Sequence, residues 1–305
     1  MRIGTRRSAL ALAQADLVAG LLGDDCEIVP ILTSGDADAR PSAPDADKSR
    51  WVVELEDALL AGEIDLAVHS AKDLPCELAD GLALLGSTAR AGAEDVLCGV
   101  PALEDLREGA RVGTSSIRRV AQLRAAREDL DVVNMRGNVD TRLGKLAQAG
   151  EDLDAIVLAR AGLQRLGRES EIGAVLDAGR FVPAPGQGAL ALEGRTGDER
   201  VAAAIAAITD AGTLACLLAE RALARELGAT CHTPLGAYAV PAGCGCLTMS
   251  AWIGLPDGST WITDELIGGF YDPEALGHRV AERLGAAGGS ELLIQAEEMA
   301  GAGSA

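Results

Sequence analysis

Short apolar runs alternate with amphipathic stretches along the first two-thirds of the chain, and the runs end in glycine, proline or polar residues. Arg2–Gly4 is predicted as a short strand. Ser8 is the expected cap of a helix over Ala9–Leu22, with Leu10, Leu17, Val18 and Leu21 as its apolar stripe. A strand is expected over Cys26–Thr33, a helix over Trp51–Ala61 closed by Gly62, and a strand over Ile64–Val68 that ends near His69. Between them, Ser34–Arg50 is rich in Asp, Ala and Pro with almost no apolar anchor, which predicts a mobile loop. Up to Leu85 the pattern is that of an α/β unit. A second unit begins near Asp95, with strands over Ala110–Gly113, Leu130–Asn134 and Leu153–Leu158. Polar residues and a helix follow each of these strands. The first helix carries Arg118 and Arg119, the next runs to Ala149, and the last lies within Ala159–Arg165.

Phe181–Gln187, with Pro183, Pro185 and Gly186, reads as a rigid connector before a strand at Ala189–Glu193. Such connectors mark crossings between domains, where clefts form. Arg200–Leu227 is alanine-rich and predicted helical. Strands at Tyr238–Val240, Leu247–Ile253 and Trp261–Leu266, a helix at Pro273–Leu284 and a last apolar piece at Leu292–Ile294 predict a small α+β domain with an antiparallel sheet.

With 305 residues, two or three domains are expected. The chain is 48% hydrophobic but only 2% aromatic, so its cores must be aliphatic. No apolar run is long enough to predict a membrane span. Gln14 and Asp16 interrupt the apolar residues after Arg6-Arg7, so the start of the chain reads as strand and helix rather than as a signal peptide. Seven irregularly spaced cysteines point to reduced thiols and a cytoplasmic protein. Cys244-Gly-Cys246 is the only close pair, and His69, His232 and His278 are scattered, so no metal site is expected. A net charge of −19 argues against nucleic acid as a partner. Within that acidic background the arginines gather as Arg6-Arg7, Arg118-Arg119 and Arg136 with Arg142, which suggests a focused anion site.

His69-Ser-Ala-Lys-Asp-Leu-Pro75 places a lysine and a carboxylate beyond a strand end, where open α/β sheets collect ligands. Gly113-Thr-Ser-Ser-Ile-Arg-Arg119 combines a strand end, a glycine and a capped helix start. That is a ready anion seat, and equally an ordinary cap. Arg136-Gly-Asn-Val-Asp-Thr-Arg142 repeats the arrangement, with Asn138 as the expected cap. Its arginine forks match a ligand bearing several carboxylates, or else salt bridges to nearby Asp and Glu. Asp73, a lone carboxylate among these cations, suits holding a ligand N–H and steadying a developing cation. The alternative is a pair with Lys72 or His69. Cys231 beside His232 suggests a nucleophile, a covalent anchor or a buried small hydrophobe.

Taken in order, Gly4-Thr-Arg-Arg-Ser8, His69–Pro75, Gly113–Arg119, Arg136–Leu143, Ala159–Leu166, Pro183–Leu190 and Cys231-His-Thr-Pro-Leu-Gly-Ala-Tyr238 resemble the porphobilinogen deaminase (hydroxymethylbilane synthase) family over nearly the whole chain. The resemblance implies two doubly wound α/β domains similar to the lobes of periplasmic binding proteins, and a third small α+β domain. It divides the chain into 1–88 with the return segment 187–204, 93–182, and 210–305. It implies a monomeric transferase that joins four porphobilinogen molecules head to tail, releasing ammonia, on a dipyrromethane primer held by a thioether to Cys231. Asp73, Lys72, Arg6, Arg142 and Arg165 are then the catalytic residues. Ser8, Thr114, Ser116, Arg118, Arg119 and Arg136, with Lys72, Asp73 and Arg142, would hold the cofactor and its carboxylates. Two positions depart from the family pattern. Ala229-Thr230 stands where two glycines often precede the cysteine, and the 34–50 loop offers only Lys48 and Arg50 as cations near the following helix. A non-catalytic anion-binding protein, a regulator with an effector domain of the same fold and a Cys–His acyl-transfer enzyme are the rival readings. The first gives Asp73 and Cys231 no role, the second would need a DNA-binding helix pair, and the third requires His232.

Overall fold

The computed structural model describes residues 1–23, 25–34, 51–148, 152–230 and 233–302. The predicted 34–50 loop, beyond Ser34, lies outside them, as do Cys231 and His232.

Three sheets organise the chain. The first has strand order β2-β1-β3-β10-β4, from β1 (Arg2–Arg6), β2 (Glu27–Ile31), β3 (Leu66–Ser70), β4 (Leu82–Gly86) and β10 (Leu190–Arg195). β1 pairs parallel with β2 and β3, and β10 runs antiparallel between β3 and β4. The second sheet has order β7-β6-β8-β5-β9, from β5 (Asp95–Cys98), β6 (Arg111–Gly113), β7 (Asp131–Val133), β8 (Ala155–Ala159) and β9 (Ala174–Val175). Here too the first pairings are parallel, and the strand that follows a crossing, β5, is antiparallel to β8. Each sheet therefore contains one antiparallel strand laid down just after the chain arrives from the other domain. Both are doubly wound α/β domains, and sheets of this kind collect ligands at strand ends such as those of β1, β3, β6 and β8.

The third sheet is an antiparallel meander of β11 (Leu235–Gly243), β12 (Cys246–Gly254) and β13 (Trp261–Gly269). It packs on helices Ala211–Glu226, Pro273–Ala286 and Gly289–Ala302 through an aliphatic core that includes Leu223, Leu247, Met249, Leu276 and Leu284. Each such side chain removed from water contributes about 1.5–3 kcal/mol, which lets a chain with so few aromatics hold three cores.

Where the prediction and the structure differ, side-chain chemistry explains it. Helices α1 (Ala9–Leu22) and α2 (Val53–Leu60) are present and Ser8 caps α1, but the buried face of α1 is Ala11, Gln14, Ala15 and Val18. Leu17 and Leu21 of the predicted stripe are 43% and 53% exposed. Gln14 decides this orientation, because its amide bonds Ser70 Oγ at 2.8 Å at the end of β3. The predicted helix over Arg200–Leu227 is two helices, Glu199–Ile208 and Ala211–Glu226, bent by 109°. Thr209 turns its hydroxyl back to Ile205 O, and Asp210 caps the second helix through Thr213 N at 2.7 Å. The apolar piece at Leu292–Ile294 lies within the last helix, which packs Leu292, Leu293 and Ala296 on the third core.

Candidate active site

β3 ends at Ser70 and tightens at once into a 3-10 turn over Ala71–Asp73, which lifts Lys72 and Asp73, both half-buried, off the sheet. His69 does not join them. It is buried on β3 with Nε2 3.0 Å from Glu193 Oε2 of β10, a partner within the first sheet. A glycine of the returning crossing presses on the turn from outside. Gly186 has φ +75°, and a Cβ there would come within 2.9 Å of the Ala71 carbonyl carbon and 3.0 Å of Lys72 N, so a side chain at this position would displace the turn.

The second domain supplies three cations. Helix α3 (Ile117–Ala126) starts after Thr114-Ser-Ser116, where Thr114 Oγ1 accepts from Ser116 N at 3.2 Å. Ser116 occupies the cap position but makes no side-chain cap bond. Arg118 and Arg119, both buried, turn together onto the buried carboxylate of Asp95 at the start of β5, each with a 2.8 Å contact. Arg118 Nη1 also donates to Val182 O at 2.9 Å, and Arg119 Nη1 to Val157 O at 3.0 Å. Among the described residues, Arg118 Nε is buried without a partner. Helix α4 (Val139–Ala147) is capped by Asn138, whose side chain accepts from Thr141 N at 2.8 Å. Its Arg142 donates to Gly137 O at 2.8 Å and to Ser115 Oγ at 3.0 Å. Arg136 is exposed in the turn before the helix.

The electrostatics join these groups into one cluster shared by the first and second domains. Burial pushes the Lys72 ammonium down to about 8, with Asp73 and Asp95 working against that shift and Arg119 and Arg118 adding to it. Burial likewise pushes Arg142 down to about 10, with Arg119 adding to the shift and Asp73 opposing it. Asp95 is held well below the usual carboxylate range because Arg118 and Arg119 outweigh its burial. Among the described residues of this cluster, four cations therefore face two carboxylates, an excess of positive charge.

The other predicted residues frame this cluster. Arg6, at the end of β1, lies over the Trp51 ring with its guanidinium carbon 4.0 Å from the centroid. Ser8 caps α1. Arg165 ends helix α5 (Arg160–Arg165) and donates to Gly188 O at 2.6 Å. Its Nε is buried without a partner among the described residues, and burial pushes the group down to about 10.

Three structural partners were not anticipated from the sequence. Ser115, rather than either neighbour, receives Arg142. Asp95 organises the arginine pair, and the available signal was a charged residue opening an otherwise apolar strand, since a buried charge needs partners. The third is the junction at Arg90, on the outgoing crossing. Arg90 forks onto the buried Glu220 of helix Ala211–Glu226 at 2.6 and 3.1 Å and stacks on Tyr238. Glu220 also accepts Gly186 N at 2.7 Å and Ala239 N at 2.8 Å, so both crossings are tied to the third domain. Among the described residues no cluster of three or more His, Cys, Asp or Glu could hold a metal, and no single helix is long and apolar enough to cross a membrane.

Residues 1–203 match the family model described as porphobilinogen deaminase, dipyromethane cofactor binding domain, and residues 214–286 match porphobilinogen deaminase, C-terminal domain. The porphobilinogen deaminase of Deinococcus deserti is 44% identical over 309 residues, 97% of this chain and 98% of its own. That of Xanthomonas euvesicatoria is 45% identical over 303 residues, 97% of this chain and 99% of its own. Among solved structures, an ABC-transporter periplasmic substrate-binding protein from Coxiella burnetii aligns with 68% of this chain and 91% of its own, at 15% identity and a TM-score of 0.40.

Proposed function

This chain belongs to the porphobilinogen deaminase family, and we propose that it performs the family's reaction in the cleft where Lys72 and Asp73 meet Arg118, Arg119 and Arg142. The enzyme condenses four porphobilinogen molecules head to tail, with release of ammonia, into hydroxymethylbilane in tetrapyrrole biosynthesis, and its cofactor is a dipyrromethane. The proposal extends to an anchor at Cys231. It also takes residues 1–88 with 187–204, 93–182 and 210–305 as the three domains, and a cytoplasmic monomer as the working form.

The observation that carries the site is the excess of positive charge that two domains share, among the described residues, around the carboxylate of Asp73. Each pyrrole of the substrate bears an acetate and a propionate, so a ligand that grows by pyrrole units accumulates carboxylates. Arginine forks and a lysine suit that ligand. The same donor set fits the cofactor, and among the described residues the buried Nε atoms of Arg118 and Arg165 have no other acceptor. When bound, the cofactor supplies the pyrrole carbon on which the chain is extended.

The residues divide the work by charge. Lys72, Arg119 and Arg142 hold carboxylates and so fix the pyrrole's orientation. Asp73 accepts the pyrrole N–H and lowers the energy of the positive charge that develops on the ring as ammonia departs. Arg6 and Arg165 bound the cleft on the first domain and at the crossing, where they orient the incoming unit.

The deciding experiment is the intact mass of the denatured protein beside a Cys231→Ser sample. The expected result is a gain equal to two porphobilinogen units less their ammonia, lost in the variant. An unmodified thiol after incubation with porphobilinogen would leave a binding protein as the better reading. A second expected outcome concerns pH. As pH rises through about 8, Lys72 loses its charge while Arg142 and Arg165, at about 10, keep theirs. The rate at which apoprotein takes up porphobilinogen should then fall on the order of tenfold, the worth of one charge-assisted hydrogen bond. A Lys72→Gln protein should lack that basic limb in a mass-spectrometric time course.

A further inference from the structure

Gln187 lies on the returning crossing and is 1% exposed. Its Nε2 donates to Ala93 O at 2.6 Å and to Asp95 Oδ1 at 2.8 Å. On the other side its Oε1 faces two cations, Arg119 Nη2 at 3.4 Å and Lys72 Nζ at 3.5 Å. The partners leave the amide one orientation, because both atoms near the nitrogen are acceptors and both groups near the oxygen are donors. Lys72 belongs to the first domain, whereas Asp95 and Arg119 belong to the second. A single neutral side chain on the crossing therefore spans the charged groups of both.

The backbone of Gln187 is held as firmly as its amide. Its carbonyl accepts Arg90 Nε at 2.9 Å, and its N–H donates to Ala184 O at 2.9 Å. Arg90 is itself fixed by Glu220 of the third domain. Next door, Gly188 has φ +88°, and a Cβ there would meet Ala91 O at 2.6 Å, so the two crossings lie against each other without slack. The side chain consequently cannot follow one domain without the other.

We infer that Gln187 is a positioning residue for the proposed active site, setting the place of Lys72 relative to Arg119 across the cleft without cancelling the charge of either. This rests on the site reading above. The neutrality of the amide matters as much as its reach. A carboxylate of the same shape would pair with Lys72 and Arg119 and remove attraction that the substrate's acetate and propionate groups otherwise receive. Lys72 is faced by Asp73 on its own turn, by Arg118 and Arg119 from α3 and by Asp95 from β5. A new charge at position 187 would act directly on that balance.

The test uses the holoenzyme and has a readout apart from turnover. The chain has three lysines, at 48, 72 and 145. Reductive 13C-methylation would give few resonances, and Lys48→Arg and Lys145→Arg samples would assign that of Lys72. In Gln187→Glu the Lys72 midpoint is expected to rise by about one pH unit or more, the usual effect of an opposite charge at short range. The same variant should raise the KM for porphobilinogen about tenfold. If the new carboxylate prevents folding, Gln187→Met carries the test, since losing the facing oxygen should lower the Lys72 midpoint. A Lys72 titration unchanged in a folded variant would overturn the inference. A shifted titration with unaltered KM would uphold the Gln187 contact and instead remove Lys72 from the substrate site, so the two failures are separable.

Discussion

Replacing Asp73 with Ala is expected to lower the rate of hydroxymethylbilane formation by about 100- to 1,000-fold, the typical cost of deleting one preorganised group that meets developing charge. Asp73 stands on a 3-10 turn that Gly186 backs and Lys72 flanks, so truncating it leaves the turn in place and removes, beyond its own carboxylate, only the support it gives to the charges of Lys72 and Arg142. Of the two carboxylates of the cluster it is the one left to a ligand in this reading, because Asp95 is already paired with Arg118 and Arg119. The loss should therefore fall mainly on kcat, with KM changing less, since the cations proposed to hold the substrate's carboxylates stay in place. Asp73→Asn should recover little, as it keeps the shape but not the charge. Steady-state kinetics on Asp73→Ala and Asp73→Asn settle it, and near-normal kcat in either protein would remove Asp73 from the chemistry.

The largest effect on stability is expected from Asp95→Ala, which should destabilise the second domain by about 3–5 kcal/mol. Asp95 is 1% exposed, and the guanidinium groups of Arg118 and Arg119 that it receives are 3% and 6% exposed as residues. Removing it leaves two buried cations facing each other with only neutral acceptors, and also strips Gln187 Nε2 of one partner. An exposed pair of the same chemistry, Arg111 with Asp131, lies on the same sheet. Breaking it by Arg111→Ala should cost no more than about 1 kcal/mol. Urea unfolding of both variants, followed by hydrogen exchange over β6 and β7, gives the comparison. Equal losses would mean that Asp95 is not the keystone of the domain.

Much of this molecule was legible in its sequence because local signals and tertiary structure agree. Ser8 and Asn138 cap the helices they were expected to cap. Lys72 and Asp73 lie just beyond a strand end, as open α/β sheets require, although β3 itself runs on through His69 to Ser70. Failures arose where a long-range partner decided the outcome. Leucine spacing alone could not tell that Gln14 would reach Ser70 and turn Leu17 and Leu21 to solvent. Nor could it place Asp95, Gln187 and Glu220, whose roles depend on residues about 20 to 130 positions away, pairs such as Asp95 with Arg118 and Arg90 with Glu220. Polar residues with distant partners carry no periodic signal, and they hold the domains together here.

The position of β10 also bears on how the protein is made. It sits between β3 and β4, yet more than a hundred residues, including the whole second sheet, separate it from them in the chain. As the polypeptide leaves the ribosome, the first sheet has an empty interior lane between β3 and β4 until residues 190–195 emerge. The second sheet is built from one continuous stretch, so all its strands are available earlier. Exposed edges of β3 and β4 must therefore wait unpaired during synthesis, the interval in which a nascent chain is most open to mispairing and to capture by chaperones.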